Sequence, residues 1–66
     1  MIGQVTKMQY RKNKPKRSYG FIHGADGEDY WFSLIGIEGI QVGDEVSFKG
    51  GRNEKGYWAT DVHSIT

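Results

Sequence analysis

Two short runs carry most of the chemistry available to this 66-residue chain. Residues 16–22 read Lys-Arg-Ser-Tyr-Gly-Phe-Ile, and residues 29–33 read Asp-Tyr-Trp-Phe-Ser. Both set aromatic planes close to charged side chains. Rings of this kind stack on nucleobases, at roughly 1–3 kcal/mol per base, while a neighbouring positive groove follows the phosphates of a single strand. Other chemistries find little to work with. Cysteine is absent, which removes disulfides and cysteine zinc sites. His23 and His63 are too far apart in the chain to suggest metal ligands. Asp26, Glu28 and Asp29 read as turn chemistry, because a calcium loop needs more ligands at regular spacing. Gly50-Gly51 lacks the Lys-Ser/Thr ending of a phosphate-binding loop. Ser18 and Ser33 have no base partner for nucleophilic catalysis. No enzyme activity, metal or cofactor is expected.

Charge adds a direction. The formal net charge is only +1. Residues 1–25 nevertheless carry six basic side chains (Lys7, Arg11, Lys12, Lys14, Lys16, Arg17) and no acid, whereas residues 26–66 carry three bases against eight acids. Asymmetry of this kind points to a polyanionic partner. A solvated loop that keeps the protein soluble is the plainer explanation of the same run.

The elements that must hold these groups are strands. Ten glycines and one proline cut the chain into short pieces. No window repeats apolar residues at helical spacing over three turns. Strands are expected at about 4–10, 18–23, 29–33, 44–49 and 57–65, with turns at 24–27 and 50–56 and a glycine-rich connector over 34–43. Pro15 breaks the basic segment between the first two strands, which is read as a loop. In the fourth strand Val46 and Phe48 alternate with Glu45, Ser47 and Lys49. Val62 and Ile65 are three apart, which predicts a bulge or bend. Many short strands with frequent turns predict a closed or nearly closed barrel, which hides its sheet edges.

Strands two and three have apolar residues on both faces. Alternate side chains point to opposite sides of a strand. Ile22 falls on one face, and Tyr19, Phe21 and His23 on the other. Tyr30 and Phe32 fall on one face of the next strand, with Trp31 and Ser33 on the other. A sheet apolar on both sides normally needs a second layer, and no helix is available to supply it. If Ile22, Tyr30 and Phe32 fill the core, then Tyr19, Phe21 and Trp31 face outward. An exposed apolar cluster marks an interaction site.

These residues resemble a known family. Lys16-Arg17-Ser18-Tyr19-Gly20-Phe21-Ile22 is similar to the first ribonucleoprotein motif of the cold-shock domain, and Asp29-Tyr30-Trp31-Phe32-Ser33 to the second. Gly3-Gln4-Val5 resembles the family's opening, and Val42-Gly43-Asp44-Glu45-Val46-Ser47-Phe48 its fourth strand. Lys55-Gly56, Ala59 and Val62 match its last strand. The resemblance covers nearly the whole chain in order. It implies a five-stranded antiparallel Greek-key β-barrel of the OB type. It further implies binding of single-stranded RNA or DNA with low sequence preference, as in an RNA chaperone or regulator. By the same resemblance Tyr19, Phe21 and Trp31 stack on bases, and Arg17 is the basic residue before the first motif. There are departures. Lys7 stands where the family has a stacking Trp, and Tyr10 is the candidate to replace it. Ser33 replaces a His and Leu34 an aromatic. The loop over 9–18 is longer than the family's and strongly basic. Weaker stacking and a larger electrostatic share are expected.

The expected contact set is Lys7, Tyr10, Arg11, Lys12, Lys14, Lys16, Arg17, Tyr19, Phe21, His23, Trp31, Ser33, Lys55 and Tyr57, on one domain spanning 1–66. Of Tyr57 and Trp58, one is expected to face outward. The alternative is a small protein-interaction barrel using the same aromatic face, since proline-rich peptides also dock in aromatic grooves. A basic loop is not a general need of such a groove. A monomer is expected, with no small-molecule substrate. With no signal-peptide pattern and no apolar stretch of membrane-spanning length, a cytoplasmic, membrane-free protein is expected.

Overall fold

Burial alternates along each strand, and this divides the chain into an inner and an outer surface. The computed structural model describes residues 1–65; Thr66, the last residue of the expected domain, lies outside the described residues. Five strands form: β1 (Ile2–Gln9), β2 (Tyr19–Gly24), β3 (Asp29–Ser33), β4 (Glu45–Asn53) and β5 (Gly56–Ser64). They close into a barrel in the order β1-β2-β3-β5-β4, with β1 also paired to β4. This is the strand order of an OB-type barrel. One 3₁₀ turn, Pro15–Arg17, lies in the loop after β1, and the described residues contain no α-helix.

Four seams are antiparallel and the fifth, β3–β5, is parallel. An odd number of strands cannot alternate direction all the way round a closed ring, so one seam has to be parallel. Here that seam is a single bridge, Trp31 to Trp58.

The core is Val5, Ile22, Tyr30, Phe32, Leu34, Ile40, Val46, Phe48 and Ala59. Ile22, Phe32 and Val46 are wholly buried. The alternation expected for strands two to four is therefore the alternation found. The connector after β3 contributes Leu34 and Ile40 to this core. It is tied to β1 by the Gly43 N–H, which donates to the Val5 carbonyl at 2.8 Å.

Two bulges set side-chain direction. Val5 pairs with Ile22, but the next pair is Lys7 with Phe21, so Thr6 is an extra residue in β1. Strict alternation would send Lys7 to the same face as Val5. The bulge turns it outward instead, beside Phe21. The second bulge is in β5, where Ser47 pairs with His63 and Lys49 with Thr60. Asp61 and Val62 then oppose a single residue, and Asp61 adopts φ 52°. The bulge expected between Val62 and Ile65 lies earlier: His63 and Ser64 pair regularly with β4, and Ile65 is exposed rather than a second inward residue.

One boundary is corrected. Residues 50–56 do not form a turn: β4 continues to Asn53, and only Glu54 and Lys55 separate it from β5. The tandem glycines that suggested a turn are places where rings lie against the strand. A Cβ on Gly50 would meet the Tyr30 ring at 2.8 Å, and one on Gly51 would meet Trp58 at 2.4 Å. Glycine inside a strand often marks such a close approach.

Candidate nucleic-acid interface

The outer face of β2 and β3 is built by the register of one hairpin. Tyr19 lies opposite Ser33, Phe21 opposite Trp31, and His23 opposite Asp29. Trp31 is 42 % exposed, and Tyr19 and Phe21 are half-buried. Tyr19 and Phe21 meet edge to face, with centroids 5.9 Å apart and planes at 86°. From β1, the Lys7 ammonium lies 5.9 Å from the centre of the Tyr19 ring, within range of a cation–π attraction. The expected outward trio is thus one continuous surface with a cation at its β1 edge.

Ser18 fixes how the basic loop leaves this surface. Its side chain is buried. Its hydroxyl oxygen accepts the Arg11 N–H at 2.9 Å, and its carbonyl accepts the Leu34 N–H at 3.1 Å. The loop is closed at its base on the Tyr19 end of the face. Inside it, Arg17 N–H donates to the Lys14 carbonyl at 2.8 Å. Arg11, Lys12, Lys14, Lys16 and Arg17 are all exposed, and the first three, with Asn13, surround a shallow depression. Tyr10 sits just past β1 and is 62 % exposed.

At the other end of the face a cleft of about 770 Å³ opens between β3 and the β4–β5 hairpin. Phe21, Trp31, Tyr57 and Trp58 supply its rings, and Asp29, Asn53 and Lys55 its polar groups. Its size falls within the range of small-ligand sites, about 300–1,000 Å³. Asn53 Oδ1 accepts the Lys55 N–H at 2.8 Å and so shapes the hairpin tip. His23 Nδ1 and Asp29 Oδ1 are 2.9 Å apart at the cleft's edge.

The structure separates the expected contact residues into roles. Lys7, Tyr19, Phe21 and Trp31 are brought together on one face, with the basic loop at one end and Lys55 at the other. Ser33 is on that face too, but its hydroxyl oxygen accepts the Ile35 N–H at 3.2 Å in the turn after β3. Tyr57 divides its ring between two tasks. It packs on Tyr30 at 5.3 Å and under the Arg52 guanidinium at 5.6 Å, and its remaining surface lines the cleft. Trp58 lies on the outer surface of β5, next to Trp31. Trp58 was weighed with Tyr57 as an outward ring but left out of the expected contact set, and Asn53 was not expected at all. Only the cross-strand register of a strand misread as a turn brings them to the cleft.

Beneath the face, the Tyr30 hydroxyl donates a hydrogen bond to Asp26 in the β2–β3 turn. That bond, with the Glu28 N–H also donating to the carboxylate, holds Asp26 below its ordinary value. The same bond, helped by burial, pushes Tyr30 up to about 12.

Fold and surface together define a class: an OB-type barrel whose β2–β3 face is aromatic, with basic side chains at its edges. OB barrels use this face, with the loops after β1 and between β4 and β5, to hold oligonucleotides or oligosaccharides. No protein-family model matches the chain, and no curated protein matches it. No helix among the described residues is long and apolar enough to cross a membrane.

Proposed function

We propose that this protein is a divergent cold-shock-type barrel that binds single-stranded RNA or DNA with low sequence specificity. Bases stack on Tyr19, Phe21 and Trp31, while Lys7 and the basic loop meet the phosphates. The observation that carries this reading is the outward Phe21–Trp31 pair, half-buried and exposed respectively, set directly across the hairpin with Lys7 and Tyr19 beside it. Rings left in water forgo the free energy that burial would bring. A partner that covers them supplies it. Nucleobases suit exposed aromatic rings, and the cations at the margins suit the backbone between bases.

The closed base of the basic loop supports the same reading. Ser18 holds the five loop cations next to Tyr19 rather than leaving them on a free tether. Anisotropy of a labelled mixed-sequence oligonucleotide tests the proposal. Binding should be competed by unlabelled single strands and weakened by Trp31→Ala. Competition by duplex as effective as that by single strands would overturn it.

A further inference from the structure

The aromatic surface continues past β3. Trp58 lies beside Trp31 at the parallel bridge, on the outer side of β5. Its indole rests on Gly51 of β4, its antiparallel partner. A Cβ at that position would meet Cζ2, Cε2 and Cη2 of the indole at 2.4, 2.6 and 2.7 Å. Backbone therefore closes one face of the ring. Among the described residues neither Trp31 nor Trp58 packs against another aromatic ring. The other side of Trp58 lines the cleft together with Phe21 and Trp31.

Glycine weakens a strand interior, and a ring laid over it recovers part of the loss. That role needs only the side of the indole that rests on Gly51. Here the indole also lines a cleft large enough for a ligand, with Lys55 in the same lining. A floor of backbone, an open aromatic face and a cation at the edge are what a stacked nucleotide needs.

We propose that Trp58, seated on Gly51, is a further base-stacking surface that carries the strand from β3 onto the β4–β5 hairpin. Gly51 is its positioning residue, and Lys55 meets the phosphate that follows. This rests on the single-strand reading above. A ligand confined to β2 and β3 does not touch Trp58, whereas a longer strand does.

The two tryptophans make the test direct. Trp31→Phe keeps a stacking ring and leaves Trp58 as the sole indole. Mixed-sequence single-stranded DNA, added to saturation as judged by anisotropy of a label on the DNA, should change the Trp58 emission. In the wild-type background, Trp58→Leu should weaken binding about 5- to 150-fold, the span set by the worth of one stacked base. Trp58→Phe should restore much of it. Gly51→Ala should weaken binding too, with Trp58 emission altered before DNA is added. Tight wild-type binding with Trp58 silent in the Trp31→Phe protein, and with Trp58→Leu binding like wild type, would sink this inference alone. Failure of the wild-type protein to bind any single strand would overturn both it and the reading it rests on.

Discussion

Trp31 and Phe32 are neighbours in β3, yet one is 42 % exposed on the outer face and the other is wholly buried. Their substitutions should therefore have opposite consequences. Trp31→Ala should weaken single-strand binding about tenfold, from the removal of one stacked ring worth ~1–3 kcal/mol, and leave the urea midpoint almost unchanged. Phe32→Ala should lose about 3–5 kcal/mol of stability. That is most of what a chain this short has, at about 0.05–0.15 kcal/mol per residue. Paired denaturation and binding curves check both. Equal stability losses at the two positions would contradict the assignment of faces.

Loop charge should act on a different observable. Replacing Lys12, Lys14 and Lys16 by Gln removes cations that stand in solvent. Stability should hardly move. The log–log dependence of affinity on salt should flatten by about 0.7 for each phosphate no longer neutralised. Binding measured over a salt series checks this, and an unchanged slope would mean the loop points away from the strand.

Lys7 offers a gain of function. The Thr6 bulge turns it outward, opposite Phe21 and next to Tyr19. Lys7→Trp adds a ring beside Phe21 and Tyr19. Affinity should rise several-fold and its salt dependence should fall, because one stacking ring replaces one cation. A titration at two salt concentrations distinguishes this from a simple loss of charge.

The Tyr30–Asp26 bond predicts how stability follows pH. Asp26 is held below its ordinary 3.8, so its contribution is present above about pH 4 and is lost as pH falls through the lowered value. Tyr30 is pushed up from 10.0 to about 12. Its contribution is full below pH 10 and is lost as pH rises towards 12. Tyr30→Phe should flatten both limbs of the stability profile, and Asp26→Asn should remove the acid limb and shrink the alkaline one, because the Asp26 bond is the main cause of the raised Tyr30 value. Urea unfolding at a series of pH values checks this.

Gly50 supplies a packing prediction. A Cβ there would press on the Tyr30 ring at 2.8 Å, inside the core. Gly50→Val should destabilise the barrel by about 1–3 kcal/mol through overpacking, despite valine's preference for strands. Chemical denaturation decides, and a stabilised variant would contradict the close approach.

Much of this architecture was legible in the sequence because it follows from local alternation. Ile22, Tyr30 and Phe32 against Tyr19, Phe21 and Trp31 needed only the two-residue period of a strand. The spacing of Val62 and Ile65 pointed to an irregularity in the last strand but misplaced it, since the bulge lies at Asp61 and Val62. What stayed hidden depends on distant partners. Gly50-Gly51 reads as a turn until Tyr30 and Trp58 are seen to cover it. The direction of Lys7 depends on Thr6 bulging against β2. Trp58 joins the cleft only through its register with Gly51 and its bridge to Trp31. Ser18 showed no sign of being the residue that closes the basic loop.

Tryptophan emission of the intact protein, titrated with mixed-sequence single-stranded and double-stranded oligonucleotides at low and high salt, tests the central claim most directly. The account predicts quenching by single strands, a weaker effect at high salt, and little change with duplex. Absence of any response or binding at low salt would contradict it.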